Sequence, residues 1–200
     1  MDLNDPIAVA LATAEALGRA HLEAALYGGL VLAAYGEPRE TKDADMAVAG
    51  MAAKDALTAL RQAGLLAQIA FEDAKFGGLR ISRITLLGGE GASGLNVVDL
   101  VEPRSERYAR AALGRTIAGE LRGLSIRLLS PEDFVVFKVL SSRDRDVEDA
   151  TLVTRALGDR LDRALVAREC AALALEIPDH DVQGRLGRIQ AAAAASDPRR

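Results

Sequence analysis

The 200-residue chain has no tryptophan, one cysteine and two histidines, and aromatic residues make up only 4% of it. Each shortage removes a class of protein. A lone cysteine, Cys170, cannot close an internal disulfide, and it rules out every multi-cysteine zinc site. With only His21 and His180 available, a histidine-built metal centre is disfavoured. A metal here would be held by carboxylates, which favour hard cations such as Mg²⁺ or Mn²⁺. No stretch reaches the roughly 18 apolar residues needed to span a bilayer. Met1 to Pro6 lacks the basic start of a secretion signal. The expectation is a soluble, cytoplasmic protein with no membrane partner. The acidic excess is small, 29 Asp+Glu against 25 Lys+Arg for a net charge of −4. That argues against a general nucleic-acid coat and leaves room for a local basic cleft.

Half of the chain is hydrophobic, enough to build one sizeable core, with or without a small helical extension. Ile7 to Leu26 is rich in Ala, Leu and Glu and predicts an amphipathic helix. Gly28-Gly29 interrupts it, and Leu30 to Ala34 is a second short helical run. Asp43 to Val48 alternates polar and apolar residues as a strand does. Lys54 to Ala63 predicts a helix. Leu65 to Phe71, Arg80 to Leu87 and Leu95 to Val101 predict strands, the last two forming a hairpin around the glycine-rich Gly88 to Gly94. Ser105 to Leu113 predicts a helix and Leu124 to Leu129 a strand. Ser130 is a fitting N-cap with Pro131 behind it and Asp133 near the capping-box position. Helical pattern then runs to about Leu175, with a polar interruption at Ser141 to Asp146, and Pro178 ends it. The expected fold is α/β (α+β), a small mixed twisted sheet with flanking helices and a C-terminal helical region. Residues 1–129 would form the α/β core, 130–190 a helical region packed on it, and 191–200 a disordered tail.

Asp43-Ala44-Asp45 is the informative feature. Side chains at i and i+2 of a strand share a face, about 6.5 Å apart. Two carboxylates so placed repel one another unless a cation sits between them. Asp99 adds a third acid inside the otherwise apolar Leu95 to Val101, where burial is costly unless compensated. If that strand lies beside the Asp43/Asp45 strand, three acids converge, as two-metal phosphoryl chemistry requires. An isolated Asp-x-Asp is also common in exposed turns. Gly28-Gly29 follows Ala25-Leu26-Tyr27 at a strand-to-helix transition, where backbone can approach a phosphate and helix N–H groups are free. By itself a glycine pair also fits a tight turn.

Tyr27-Gly28-Gly29 to Gly36, followed by Arg39-Glu40-Thr41-Lys42-Asp43-Ala44-Asp45, resembles the opening of polymerase-β-superfamily nucleotidyltransferases. It is most similar to the AbiEii-type group of bacterial toxin–antitoxin and abortive-infection systems. Val97-Val98-Asp99-Leu100 resembles that group's third acid. Lys138 with Arg143, Asp146 and Asp149 resembles its Lys…Arg-x-x-Asp-x-x-Asp stretch. The match runs from about Leu26 to Leu152. It implies a Mg²⁺- or Mn²⁺-dependent enzyme that moves a nucleoside monophosphate from an NTP to an acceptor hydroxyl. Asp43, Asp45 and Asp99 would be catalytic and hold the metals, with Asp99 helping to deprotonate the acceptor. Gly28, Gly29, Arg39, Thr41 and Lys138 would bind the nucleotide, with Asp146 and Asp149 beside them. The acceptor could be a tRNA end, a protein side chain or a small molecule, and a cognate toxin or antitoxin would be a partner.

Helical spacing places Lys138 and Asp149 on one face of a continuous helix. Gly89-Glu90-Gly91-Ala92-Ser93-Gly94 matches G-x-G-x-x-G, but a strand-like run follows where a dinucleotide site needs a helix. His180 reads as a polar loop residue, His21 as a helix-surface one, and Cys170 as a small hydrophobe. Two readings stand beside the enzyme: a non-catalytic nucleotide-binding or protein-interaction module, and a plain α/β domain whose acids are surface charge.

Overall fold

A computed structural model describes residues 1–88 and 94–195. Helix α1 (Pro6–Arg19) opens where Asp5 accepts hydrogen bonds from the Ile7 and Ala8 N–H groups at 3.1 and 3.3 Å. It stops well short of Leu26. His21 takes a left-handed φ of 57°, and Ala24–Tyr27 form strand β1. A four-residue apolar run fits either period, and burial between two strands of the sheet settles it as β. His21 is therefore beyond the helix end, not on its surface. After β1 the chain winds into a 3-10 helix, Gly28–Tyr35.

Strands β2 (Ala44–Val48), β3 (Leu66–Phe76), β4 (Leu79–Leu87) and β5 (Leu95–Pro103) follow, with helix α2 (Ala53–Gln62) after β2. Helix α3 (Glu106–Gly114) leads to β6 (Ile117–Leu121) and β7 (Leu124–Leu128). Strand β6 was not expected. It turns into β7 through Arg122 and Gly123, both at positive φ (52° and 79°), as a two-residue hairpin turn demands. Arginine in the first position hides that signal. Of the G-x-G-x-x-G run, residues 89–93 lie outside the described residues; Gly88 donates to the Gly94 carbonyl at 3.0 Å.

The sheet runs β3-β4-β5-β2-β1-β7-β6. Strands β2 and β5, and β1 and β7, pair parallel, and the other neighbours pair antiparallel. This is the mixed sheet expected. Helices α1 and α2 cover one face. On the other face Tyr27 meets Phe134 and Phe137, with ring centroids 5.7 and 5.1 Å away.

Phe134 and Phe137 lie on α4 (Pro131–Leu140), capped by Ser130 as the sequence predicts, its hydroxyl accepting from the Asp133 N–H at 3.1 Å. Every residue from Asp133 to Leu140 is buried, the mark of a helix enclosed on all sides. The helical run expected here, with its polar interruption at Ser141 to Asp146, is three helices: α4, α5 (Asp144–Leu157) and α6 (Arg163–Glu176). The first break falls at Ser141, in extended conformation. The second falls at Gly158, at a φ of 55°. Helix α7 (Val182–Ala195) takes in Ala191–Ala195, with Ala193 buried and Arg155 donating to the Ala192 carbonyl. Among the described residues no helix is long and apolar enough to cross a membrane.

Candidate active site

One row of residues crosses the second face of the sheet. Tyr27 pairs with Asp45 across β1 and β2, Asp45 with Asp99 across β2 and β5, and Asp99 with Arg83 across β5 and β4. Cross-strand partners share a face, so all four side chains stand on the face that carries α4. Asp43 lies one residue before β2.

The glycine turn is shaped by this row. Gly28 has a φ of 74°, and a Cβ there would stand 2.6 Å from the Asp45 Cγ. A Cβ on Gly29 would meet Thr41 at 2.7 Å. Only glycine lets the turn lie against both the Asp45 carboxylate and Thr41. The residues the sequence singles out in Tyr27–Asp45 thus touch one another.

A cavity of about 400 Å³ opens over the row. Of its acids, Asp45 and Asp99 come from β2 and β5, Glu40 and Asp43 from the segment before β2, and Asp146 from α5. Its cations Arg39 and Lys42 come from the segment before β2, and Lys138, Arg143 and Arg145 from α4 and the start of α5. The cavity is bipolar, not uniformly charged. Neither Asp43 nor Asp45 has an ion-pair partner among the described residues. Burial, then the neighbouring Asp99 charge, pushes the Asp45 carboxyl up to about 7 against the opposing pull of Lys138 and Arg143.

Asp99 is buried and does have a partner. Arg83 Nε donates to its Oδ1 and Nη2 to its Oδ2, both at 2.7 Å. This is the bidentate fork that makes an Arg–carboxylate pair strong. Arg83 also stacks on Phe71, its Cζ 5.7 Å from the ring centre. The three acids are aligned, but among the described residues no three acidic, histidine or cysteine side chains form a ready-made metal cage. Arg83 is the site residue the sequence reading missed. Its signal was the hairpin: Leu87 and Leu95 close the loop, and counting four residues outward along each strand sets Arg83 opposite Asp99.

Lys138 meets Asp146 and Asp149 by a different route from the one expected. They lie on two helices, and the bend at Ser141 folds α5 back on α4. Lys138 Nζ donates to Asp146 Oδ1 at 2.5 Å and to Asp149 Oδ2 at 3.0 Å. It also lies 5.2 Å from the Tyr27 ring centre and 5.3 Å from that of Phe134, within cation–π range. Burial pushes the Asp146 carboxyl up, but Lys138, Ser141 and Arg143 outweigh it and hold it below its ordinary range. Arg39 donates to Asp149 at 3.1 Å, and its Nε is buried with no hydrogen-bond partner among the described residues. The structure therefore gathers Gly28, Gly29, Arg39, Thr41, Asp43, Asp45, Asp99, Lys138, Asp146 and Asp149 into one region. His180 lies elsewhere, with Nε2 2.9 Å from the Val139 carbonyl and its ring against Gly77 and Gly78.

No protein-family model and no curated protein sequence matches the chain. Solved structures do. An antigenic nucleotidyltransferase-like protein from Paracoccidioides brasiliensis is 19% identical, with 94% of this chain and 92% of that one covered and a TM-score of 0.52. The antibiotic-resistance factor ANT(2'')-Ia in solution is 15% identical over 87% of this chain and 97% of its own, with a TM-score of 0.49. Its crystal structure with adenylyl-2''-tobramycin is 15% identical over 81% and 95%, with a TM-score of 0.47. The fold is nucleotidyltransferase-like, a mixed sheet flanked by helices with a helical C-terminal part.

Proposed function

We propose that this protein is a nucleotidyltransferase that moves a nucleoside monophosphate from an NTP to an acceptor hydroxyl, with release of pyrophosphate. The observation that carries the reading is the bipolar cavity, where Asp43 and Asp45, which make no ion pair among the described residues, share the lining with Arg39, Lys42, Lys138, Arg143 and Arg145. A metal-bound triphosphate presents both signs of charge and complements such a lining. The Asp43 and Asp45 carboxylates, hard oxygen donors lacking a partner, fit a Mg²⁺ or Mn²⁺ ion. When bound, that ion would offset charge on the triphosphate and favour departure of pyrophosphate.

The chain's own residues do the rest. The Gly28-Gly29 backbone and Thr41 line the turn against which the triphosphate lies. Arg39, with a free buried Nε, donates to a phosphate oxygen. Lys138 is oriented by Asp146 and Asp149 and offers positive charge from beneath. Asp99, once free of Arg83, takes the acceptor's hydroxyl proton as that oxygen bonds to the α-phosphorus and the bond to pyrophosphate breaks. The resemblance to AbiEii-type proteins adds a toxin–antitoxin setting with a cognate partner protein. It leaves a tRNA end, a protein side chain and a small-molecule hydroxyl as acceptors.

The test is incubation with each α-labelled NTP, Mg²⁺ or Mn²⁺, and separate RNA, protein and metabolite fractions. Label should pass to one fraction with pyrophosphate release, and Asp45→Asn should abolish it. Transfer that survives Asp45→Asn would sink the reading. A second reading, a non-catalytic nucleotide-binding module, is favoured by the Arg83 fork on Asp99. It predicts NTP binding without transfer to any fraction.

A further inference from the structure

We infer that Arg83 is a built-in counter-cation of the site: its guanidinium neutralises Asp99 as a divalent cation would, so the two compete for that carboxylate. The inference deepens the nucleotidyltransferase reading and rests on it.

Asp99 and Asp45 are neighbours across β2 and β5, and only Asp99 is paired with a guanidinium. Arg83 spends two donors on the two oxygens of Asp99 and none on Asp45. A buried carboxylate without a counter-charge is strongly disfavoured, and Arg83 is the counter-charge that the structure gives Asp99. Both Asp99 oxygens accept from Arg83, so a metal approaching Asp99 meets a positive charge already seated on it and must compete with the fork.

Displacement asks for little. The Arg83 side chain is 35% exposed, against 6% for that of Asp99. It lies at the outer end of the row, and Phe71 on the edge strand β3 already stacks against its guanidinium. A change of rotamer frees Asp99 without moving a strand. Once Arg83 leaves, Asp45 and Asp99 are two carboxyl groups side by side with no cation paired to either, a place a divalent ion between them would suit. The protein should therefore take free metal weakly and take it well with the triphosphate, whose own charge helps hold the ion.

The test is Mn²⁺ binding by the full chain without nucleotide, read from the electron paramagnetic resonance signal of free Mn²⁺. Arg83→Met keeps the stem against Phe71 and removes the charge. It should bind Mn²⁺ about tenfold more tightly than wild type or better, a difference of about 1.4 kcal/mol or more. Arg83→Met/Asp99→Asn should lose the gain. In wild type, the ¹⁵N-arginine Nε–H resonance of Arg83, assigned by its loss in Arg83→Lys, should shift as Mg²⁺ is added with a non-hydrolysable NTP analogue. A folded Arg83→Met with unchanged or weaker Mn²⁺ affinity overturns the inference. So does an Arg83 resonance that stays put at saturating metal and nucleotide. If wild type binds Mn²⁺ with NTP and Arg83→Met behaves identically, only this inference falls. If neither protein binds Mn²⁺ with or without NTP, the nucleotidyltransferase reading falls with it.

Discussion

Gly28 and Asp45 compete for the same space, for a Cβ on Gly28 would stand 2.6 Å from the Asp45 Cγ. The turn and the acid are therefore one device. The positive φ at Gly28 aims the chain into the 3-10 helix, and the missing side chain leaves room for the carboxylate. Gly28→Ala should cost about 1–2 kcal/mol for the left-handed backbone alone. It should also push the Asp45 carboxylate aside. The expected outcome is a folded protein with a lower Tm and no stabilisation by NTP with Mg²⁺. Full retention of the nucleotide shift in Gly28→Ala would show that the packing is incidental.

Asp45 sets a pH dependence whose sign can be worked out. Its carboxyl is raised from the ordinary 3.8 to about 7, so the folded chain holds a proton that the unfolded chain gives up. The stabilisation is complete below the unfolded value of about 3.9 and is lost as pH rises through about 7. With chelator present, wild type should lose stability between about pH 4 and pH 7, while Asp45→Asn should show a flatter profile. At about pH 8 we expect the variant to be the more stable by about 1–2 kcal/mol, a full shift being discounted for the opening to the cavity. Urea unfolding at several pH values measures this. Parallel profiles would mean that Asp45 is charged and compensated.

How much of this was legible in the sequence varies with the range of the interaction. Local signals read well. The Ser130 cap, the Asp43–Val48 alternation and the hairpin strands all depend on near neighbours, and they appear within a residue or two of their expected places. Long-range terms did not read. Ala25-Leu26-Tyr27 fits both the end of a helix from Ile7 and the strand before the glycine pair, and only β2 and β7 on either side decide for the strand, so α1 ends earlier than its composition suggests. The polar interruption at Ser141 to Asp146 did mark the place of the break, but not that α5 folds back on α4 there: that takes the packing of Val147, Ala150 and Val153 and the ion pair of Lys138 with Asp146 and Asp149, which exist only after the chain has turned. Arg83 could have been found, because hairpin register alone sets it opposite Asp99.

Lys138 is the costliest charge to remove. Truncating one partner of a buried ion pair leaves the other uncompensated, at about 3–5 kcal/mol. Lys138→Met should destabilise by about 3 kcal/mol at neutral pH, since Arg39 and Arg143 still face the two acids. Lys138→Met/Asp146→Asn should recover part of that loss. Chemical denaturation of both variants decides the matter, and a loss under about 1 kcal/mol would show Lys138 to be a solvated charge.

His180, expected to be a polar loop residue, lies in the loop between α6 and α7, its Nε2 2.9 Å from the Val139 carbonyl and its ring on the β3–β4 turn. His180→Ala should lower stability by about 1 kcal/mol and leave nucleotide binding intact. A loss of NTP or metal binding in this variant would place the site elsewhere.

The central claim is that the cavity over Asp43, Asp45 and Asp99 binds a metal–NTP complex. The most direct measurement is thermal unfolding of wild type and Asp43→Ala/Asp45→Ala with each of the four NTPs, with and without Mg²⁺ or Mn²⁺. At a ligand concentration of about 100 Kd the native state should gain about 2.7 kcal/mol. The account predicts a metal-dependent rise in Tm with at least one NTP in wild type and none in the double variant. No rise with any combination, or an equal rise in the variant, would contradict it.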